Sequence, residues 1–210
     1  MASQLPLWTG ESESISVLPH DGVAVLFPTF FPDADALFDS LLTGLSWETH
    51  HITLFGKTHE EPRRSVWFHT ENVPYRYSGT TRTAHSFTPL LLEIMRKCEV
   101  AANDQFNSVL ANLYRDGKDS MGWHADDEPE LGREPVIASV SLGAQRRFDF
   151  RHNVTREVVS VVLPHGSLLV MSGQSQHKWM HRIARTTRIH EPRLNLTFRY
   201  THDTSTQSRK

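Results

Sequence analysis

The chain has 210 residues and a single cysteine, Cys98. One thiol excludes an intrachain disulfide and any metal cage built from several thiolates. A reducing compartment is therefore expected, cytoplasmic or, in a eukaryotic cell, nuclear. No apolar run reaches the roughly 20 residues that a helix needs to cross a bilayer. Residues 1–8 lack the basic and apolar segments of a secretory signal, so no membrane partner is expected. An excess of basic charge is also missing: 22 Lys and Arg face 24 Asp and Glu, for a net charge of −2. No global positive field advertises nucleic acid, so any such contact must come from a local patch. Internal repeats and low-complexity linkers are absent too. The length suits one domain spanning 1–210, with about 1–15 and 201–210 loose.

Histidine, by contrast, is plentiful, at 13 residues. A metal centre in this chain must use His and carboxylate, which suits iron or manganese better than structural zinc. His124-Ala125-Asp126 is the leading candidate. On extended backbone, residues two apart project to the same side. One distant His would complete a two-histidine, one-carboxylate face with open positions for a co-substrate and oxygen. Alone the motif is weak, because a turn His beside a solvated Asp reads the same way. His165 lies in a Pro-His-Gly turn and is most simply a turn residue. His177 and His181 are four apart, as in a helical pair, yet no cap or clear period supports a helix there.

Residues 193–200, Arg-Leu-Asn-Leu-Thr-Phe-Arg-Tyr, alternate strictly. Arg193, Asn195, Thr197 and Arg199 share one face of a strand, with Leu194, Leu196, Phe198 and Tyr200 on the other. An antiparallel strand with one face in water has this pattern. So does a strand whose two Arg bind a buried diacid, since Arg stays charged and holds carboxylates bidentately.

The remaining pattern is helices followed by strands. Residues 23–27 read as a short buried strand. Asp33 suits the N-cap of a helix carrying Leu37, Phe38, Leu41, Leu42 and Leu45. Thr88-Pro89 suits the start of a second, with Leu91, Leu92, Met95, Cys98, Ala102 and Phe106 on its apolar side. From Ser108 onward the chain reads as short strands: 108–114 before an Asp116-Gly117 turn, 137–142, 148–150, then 158–163 and 167–171 flanking Pro164-His165-Gly166. That is the punctuation of a double-sheet β fold.

Residues 50–80 interleave basic residues (Lys57 and Pro62-Arg63-Arg64) with the aromatics Trp67, Phe68, Tyr75 and Tyr77. Such a surface suits phosphate contact and base stacking. A mixed surface over core aromatics reads equally well. Asp127 and Glu128 follow Asp126 directly. They are either a solvated acidic turn or acceptors for an exocyclic amine and a counter-charge for a cationic base. Arg151 and His152 are weaker candidates for phosphate contact.

Several of these segments, in this order and spacing, resemble the AlkB family of Fe(II)- and 2-oxoglutarate-dependent dioxygenases across about residues 50–200. They are Asn112-Leu113-Tyr114, His124-x-Asp126-Asp127-Glu128, 137–143, His165-Gly166, His181 and the terminal Arg-x-Asn-x-Thr-x-Arg. The resemblance is nearest to the DNA and RNA alkylation-repair members. It implies an α+β, mostly β fold: a double-stranded β-helix, or jelly roll, over about 108–200. Helices would pack on one sheet, and a nucleotide-recognition lid would span about 50–80.

The resemblance also implies that His181 joins His124 and Asp126 on Fe(II). Asn112, Tyr114, Arg193, Asn195 and Arg199 would hold 2-oxoglutarate, with Arg193 on the distal carboxylate and Arg199 on the end that chelates iron. Tyr75, Arg76 and Tyr77 resemble the lid strand that stacks on a damaged base. Phe55, Gly56 and Lys57 resemble a loop that wedges an apolar side chain, here Phe55, into duplex DNA. Asp127 and Glu128 would recognise the base. The implied activity is oxidative demethylation of N1-methyladenine and N3-methylcytosine in single- or double-stranded DNA. It would use Fe(II), 2-oxoglutarate and O2, and release succinate, CO2 and formaldehyde. A monomer is expected. The same iron site would equally serve an RNA demethylase or a protein hydroxylase. A non-catalytic nucleic-acid-binding module is the reading from a different class.

Overall fold

A computed structural model of the chain describes residues 13–54, 57–71, 74–77 and 80–202; within 52–54, 57, 74–77 and 80–83 it describes only the backbone. The strands in chain order are β1 (Ile15–Ser16), β2 (Val23–Phe27), β3 (Glu48–Leu54), β4 (Lys57–His69), β5 (Pro74–Tyr77), β6 (Thr80–Thr83), β7 (His85–Ser86), β8 (Ser108–Tyr114), β9 (Met121–His124), β10 (Ile137–Gly143), β11 (Arg146–His152), β12 (Val158–Leu163), β13 (Ser167–Ser172), β14 (Trp179–Ile183) and β15 (Arg193–Arg199). The helices are α1 (Ala34–Gly44), α2 (Pro89–Ala102) and the single turn α3 (Ser175–Lys178).

Two antiparallel layers dominate. The major sheet runs β1-β2-β13-β10-β15-β8-β4-β3, with β7 beside β4; the minor sheet runs β12-β11-β14-β9. β5 and β6 form a separate hairpin. Helices α1 and α2 cover the outer face of the major sheet, packing on β10 and β13. A core of Leu41, Leu91, Ile94, Cys98, Val140, Leu168, Leu196 and Phe198 fills that layer. Each such aliphatic chain contributes roughly 1.5–3 kcal/mol by leaving water. A second core lies between the sheets, built on Leu26, Ile137, Phe150, Leu163, Met171 and Trp179. This is the helix-on-one-sheet, mostly β architecture expected of a jelly roll.

Several local expectations need correction. β2 is half-buried: Ala24 and Leu26 are inside, Phe27 packs partly against the helix-side core, and Val23 is exposed. Asp33 sits at the N-cap of α1 but its side chain makes no capping hydrogen bond. Thr88 does cap α2, its hydroxyl accepting from the Leu91 amide at 3.2 Å. Ile94 belongs to the buried side of α2, whereas Phe106 reaches the core from beyond the helix end. The Pro164-His165-Gly166 turn links strands of different sheets. Among the described residues β12 pairs with β11 alone, and β13 pairs with β10 and β2, so the turn carries the chain from one sheet to the other. Gly166 has φ of +77°, and a Cβ there would meet the Phe31 carbonyl at 2.7 Å, so the crossing requires glycine.

Candidate metal and diacid site

A cavity lies between the sheets. β9 ends at His124, and the chain continues extended, so Asp126 projects from a loop rather than from the strand. His181 lies on β14 as the register partner of His124. It is a strand residue, and the helical pairing with His177 does not form; His177 is exposed on α3. Potential ligand atoms of His124, Asp126 and His181 all lie within 4.8 Å of one another. The His124 and His181 ring centroids are 4.2 Å apart, and Phe148 stacks on His181 at 5.2 Å. The Asp126 amide donates to Gln176 Oε1 at 3.0 Å, which fixes the loop behind the carboxylate.

Hydrogen bonding sets the tautomer. His124 Nδ1 lies 2.9 Å from the Gly122 carbonyl, so Nδ1 carries the proton and Nε2 keeps its lone pair for a cation. Burial pushes His181 down to about 3, and its neighbour His124 pushes the same way. Burial likewise lowers His124. For Asp126, burial works to raise the carboxyl, but Arg199 and then the two histidines outweigh it and hold it below the ordinary carboxylate range. Two neutral imidazoles and an ionised carboxylate are the protonation states that ligation requires.

A second group, His20, Asp21 and His152, also brings potential ligand atoms within 4.8 Å. Its hydrogen bonding is the reverse. His152 Nδ1 accepts from the amides of Val154 and Thr155 at 3.3 and 3.1 Å. The ring proton therefore sits on Nε2, the atom that faces Asp21 at 3.3 Å, and no lone pair is left there for a cation.

The wall opposite the histidines is β15. All seven of its residues are buried, so its polar face lines the interior and not solvent. Register explains the company it keeps: Arg193 lies opposite Tyr114, and Asn195 opposite Asn112, on β8. On the other side, Asn195 faces Ser141 and Thr197 faces Ser139, on β10. Arg193 is 1% exposed. It has no carboxylate partner among the described residues: Nη2 donates to Ser141 Oγ at 2.9 Å, and Nε and Nη1 have no hydrogen-bond partner there. The Tyr114 ring lies 5.2 Å from the guanidinium. Burial pushes Arg193 down to about 10, so it remains a cation at neutral pH. A buried cation with two unmet donor atoms fits an incoming carboxylate.

The other expected diacid residues differ in what they have to offer. Asn195 spends both amide protons, on Ser139 Oγ and the Val140 carbonyl, and accepts from Thr197. Asn112 accepts from Arg63 Nε at 3.0 Å, and Arg199 pairs with Asp126 at 2.5 Å. Tyr114 and all of these residues line one cavity together with the His–Asp–His face. An unmet buried cation and the His–Asp–His face in one cavity offer the charges that a diacid such as 2-oxoglutarate would need.

Several residues here were misread, missed or left open between two readings. Arg63 is no surface phosphate contact; it is 5% exposed, lines the cavity and pairs with buried Glu61 at 2.9 Å. Ser139 and Ser141 were missed, although their alternation in 137–142 places them on one face. Trp67 and Phe68, which read equally well as stacking or as core aromatics, are core residues at 4% exposure, because the inner end of β4 is paired inside the major sheet. His152, read as a phosphate contact, is buried beside Trp179.

Of the base-contact candidates, Asp127 is exposed. Glu128 is half-buried; its Oε2 has no partner among the described residues, and burial raises its carboxyl. Phe55 and Gly56, and the side chains of Lys57, Tyr75, Arg76 and Tyr77, lie outside the described residues.

Comparison with known proteins gives the same picture. The 2OG-Fe(II) oxygenase superfamily model matches residues 24–199. Alpha-ketoglutarate-dependent dioxygenase alkB homolog 3 of Bos taurus is 39% identical over 177 residues, covering 80% of this chain and 61% of that protein. DNA oxidative demethylase ALKBH2 of Mus musculus is 38% identical over 198 residues, covering 87% of this chain and 82% of that protein. The chain thus spans about three fifths of the length of the homolog 3 proteins, 61% and 64% for the bovine and human ones. Among solved structures, that of OsALKBH1 superposes with a TM-score of 0.62 at 16% identity, covering 88% of this chain and 99% of that one. It supports the fold.

Proposed function

This chain belongs to the AlkB family of the 2OG-Fe(II) oxygenase superfamily, and from that premise we propose that it reverses alkylation damage by oxidative demethylation of nucleobases in DNA. The family makes it a dioxygenase that uses Fe(II), 2-oxoglutarate and O2. The observation that carries the reading is one cavity with two unmet needs: a neutral–neutral–anionic ligand face and a buried, uncompensated guanidinium.

His124, Asp126 and His181 hold the metal in this reading. When bound, Fe(II) with 2-oxoglutarate and oxygen supplies the oxidising power that hydroxylates an N-methyl carbon, after which the product loses formaldehyde. The protein's part is positioning and electrostatics. Arg193 takes the distal carboxylate of the co-substrate, with Ser141 and the Tyr114 ring fixing its fork. Arg199 sits at the metal end, where it also keeps Asp126 ionised. Asn112 and Asn195 shape the wall between the two Arg. Glu128 presents an unmatched acceptor beside Asp126, suited to an exocyclic amine or to the positive charge of N1-methyladenine or N3-methylcytosine. A methylated base pairs poorly and costs less to extrude. Phe55, Gly56, Lys57, Tyr75, Arg76, Tyr77 and Asp127 complete the proposed substrate side.

The test is to incubate the Fe(II)-loaded protein with 2-oxoglutarate and oxygen on oligonucleotides carrying either lesion. Mass spectrometry should show loss of the methyl group with wild type and not with His181→Ala. Rates on single-stranded DNA, duplex DNA and RNA then rank the polymer. Co-substrate consumption without demethylation would redirect the search to a protein side chain. No turnover of any kind would favour the binding module.

A further inference from the structure

His124 sits on the least supported strand of the minor sheet. β9 has four residues and, among the described residues, one neighbour, β14, and the pairing is interrupted: His124 opposes His181 and Met121 opposes Ile183. Two residues, Gly122 and Trp123, therefore face the single Arg182, which is a β-bulge. Bulges re-aim side chains. Here the bulge brings the Gly122 carbonyl to His124 Nδ1 and leaves the neighbouring Trp123 half-buried, outside the residues that line the cavity.

Trp123 is not free in that position. The guanidinium carbons of Arg151 and Arg182 each lie 4.3 Å from its ring centroid. Arg182 is anchored in turn: its Nε donates to Asp149 Oδ2 at 2.9 Å, and Asp149 is fully buried. Arg151 has no carboxylate partner among the described residues, and Arg156 and Arg182 act on it as like charges. Its Nη2 donates to Met180 Sδ at 3.9 Å, and the indole face adds the attraction that an aromatic quadrupole offers a cation. One chain of contacts thus runs from Asp149 through Arg182 to Trp123, one residue from His124, with Arg151 bearing on the same ring.

We propose that Trp123, clamped by Arg151 and Arg182, is a positioning residue that holds His124 in ligating geometry, in place of a second strand neighbour, which β9 lacks among the described residues. The proposal rests on the metal-site reading above. It predicts that the clamp sets metal affinity, and not only the stability of the fold.

Co2+ titration of the metal-free full chain, followed by visible absorption, tests it. Trp123→Ala should weaken Co2+ binding about tenfold, equivalent to about 1.4 kcal/mol, and alter the shape of the absorption band. Trp123→Phe should recover part of the affinity, since Phe also presents a face to the two cations. Arg151→Met leaves the Asp149 network intact and should weaken binding about two- to fivefold. Circular dichroism confirms that each variant is folded. Unchanged Co2+ affinity and an unchanged band in folded Trp123→Ala would overturn the proposal. So would variants that raise only the KM for an oligonucleotide, which would make Trp123 a nucleic-acid contact. His124→Ala separates the two levels: if it too binds Co2+ like wild type, the metal-site reading itself fails.

Discussion

Asp126 and Arg199 are 73 residues apart in the chain and form a buried ion pair, Arg199 Nη2 to Asp126 Oδ1, at 2.5 Å. Both side chains are less than a tenth exposed. The metal-face carboxylate therefore has a built-in counter-charge before any cation arrives. This relationship separates two jobs that the sequence motif merges. Asp126 is a ligand candidate, and Arg199 is what keeps it ionised in a buried setting.

Removing that counter-charge should make the fold depend on metal. In Arg199→Met, Asp126 would be a buried carboxylate without its main partner, and breaking such a pair costs about 3–5 kcal/mol. A divalent cation bound at Asp126 restores positive charge at the same place. The expected outcome is a lower Tm for the metal-free variant and a larger Tm rise on adding Mn2+ than wild type shows. Differential scanning calorimetry with and without Mn2+ measures both. Equal metal-induced shifts in the two proteins would mean that Arg199 does not govern the charge at Asp126.

Arg193 should behave in the opposite way. It is buried without a carboxylate, so its charge costs stability in the empty protein. Arg193→Met should leave Tm unchanged or raise it by a few degrees. The same change removes charge-assisted hydrogen bonds worth about 1.5–3 kcal/mol each to the co-substrate. The KM for 2-oxoglutarate should rise by roughly two orders of magnitude or more. Steady-state kinetics against co-substrate concentration, paired with a melting curve, give both numbers. An unchanged KM would remove Arg193 from the diacid site.

The contrast between these two arginines was half legible in the sequence. Strict alternation in 193–199 put Arg193 and Arg199 on one face, and the register with β8 and β10 then buried that face. Alternation alone does not say whether a polar face meets water or a cavity, because that depends on what the topology places opposite. The same gap explains Arg63. A Pro-Arg-Arg run looks solvated, yet β4 continues into the major sheet and carries Arg63 to Asn112 while Arg64 stays outside. His124 and Asp126 were visible as a spacing. The bulge that orients His124 was not, since it exists only in the pairing of β9 with β14.

Phe55 carries a prediction drawn from sequence and family resemblance. A wedge acts only where there is a partner strand to displace. Phe55→Ala should therefore slow repair of duplex substrates by about tenfold, in line with the roughly 1–3 kcal/mol of base stacking that an inserted ring replaces. Single-stranded substrates should be repaired at nearly the wild-type rate. Equal losses on both would assign Phe55 to packing of the lid.

Asp149 gives a pH-dependent test of the network behind the metal face. Its carboxylate is fully buried and receives Arg147, Arg182 and Ser160. Burial acts to raise its carboxyl, but Arg147, Ser160 and Arg182 together hold it below the ordinary carboxylate value. A carboxyl with a depressed folded value contributes stability above its unfolded value, near 3.9, and that stability is lost as pH falls through the folded value. Asp149→Asn keeps the shape and removes the charge, so it should cost about 1–3 kcal/mol at pH 7. The difference from wild type should shrink below pH 4, as the wild-type carboxyl takes up a proton. Urea unfolding at a series of pH values reads this directly. If Trp123 is held through Arg182, the same variant should also weaken Co2+ binding at pH 7, because Asp149 is what fixes the Arg182 guanidinium against the indole. A variant that loses stability but binds Co2+ like wild type would show that the network supports the minor sheet without reaching His124.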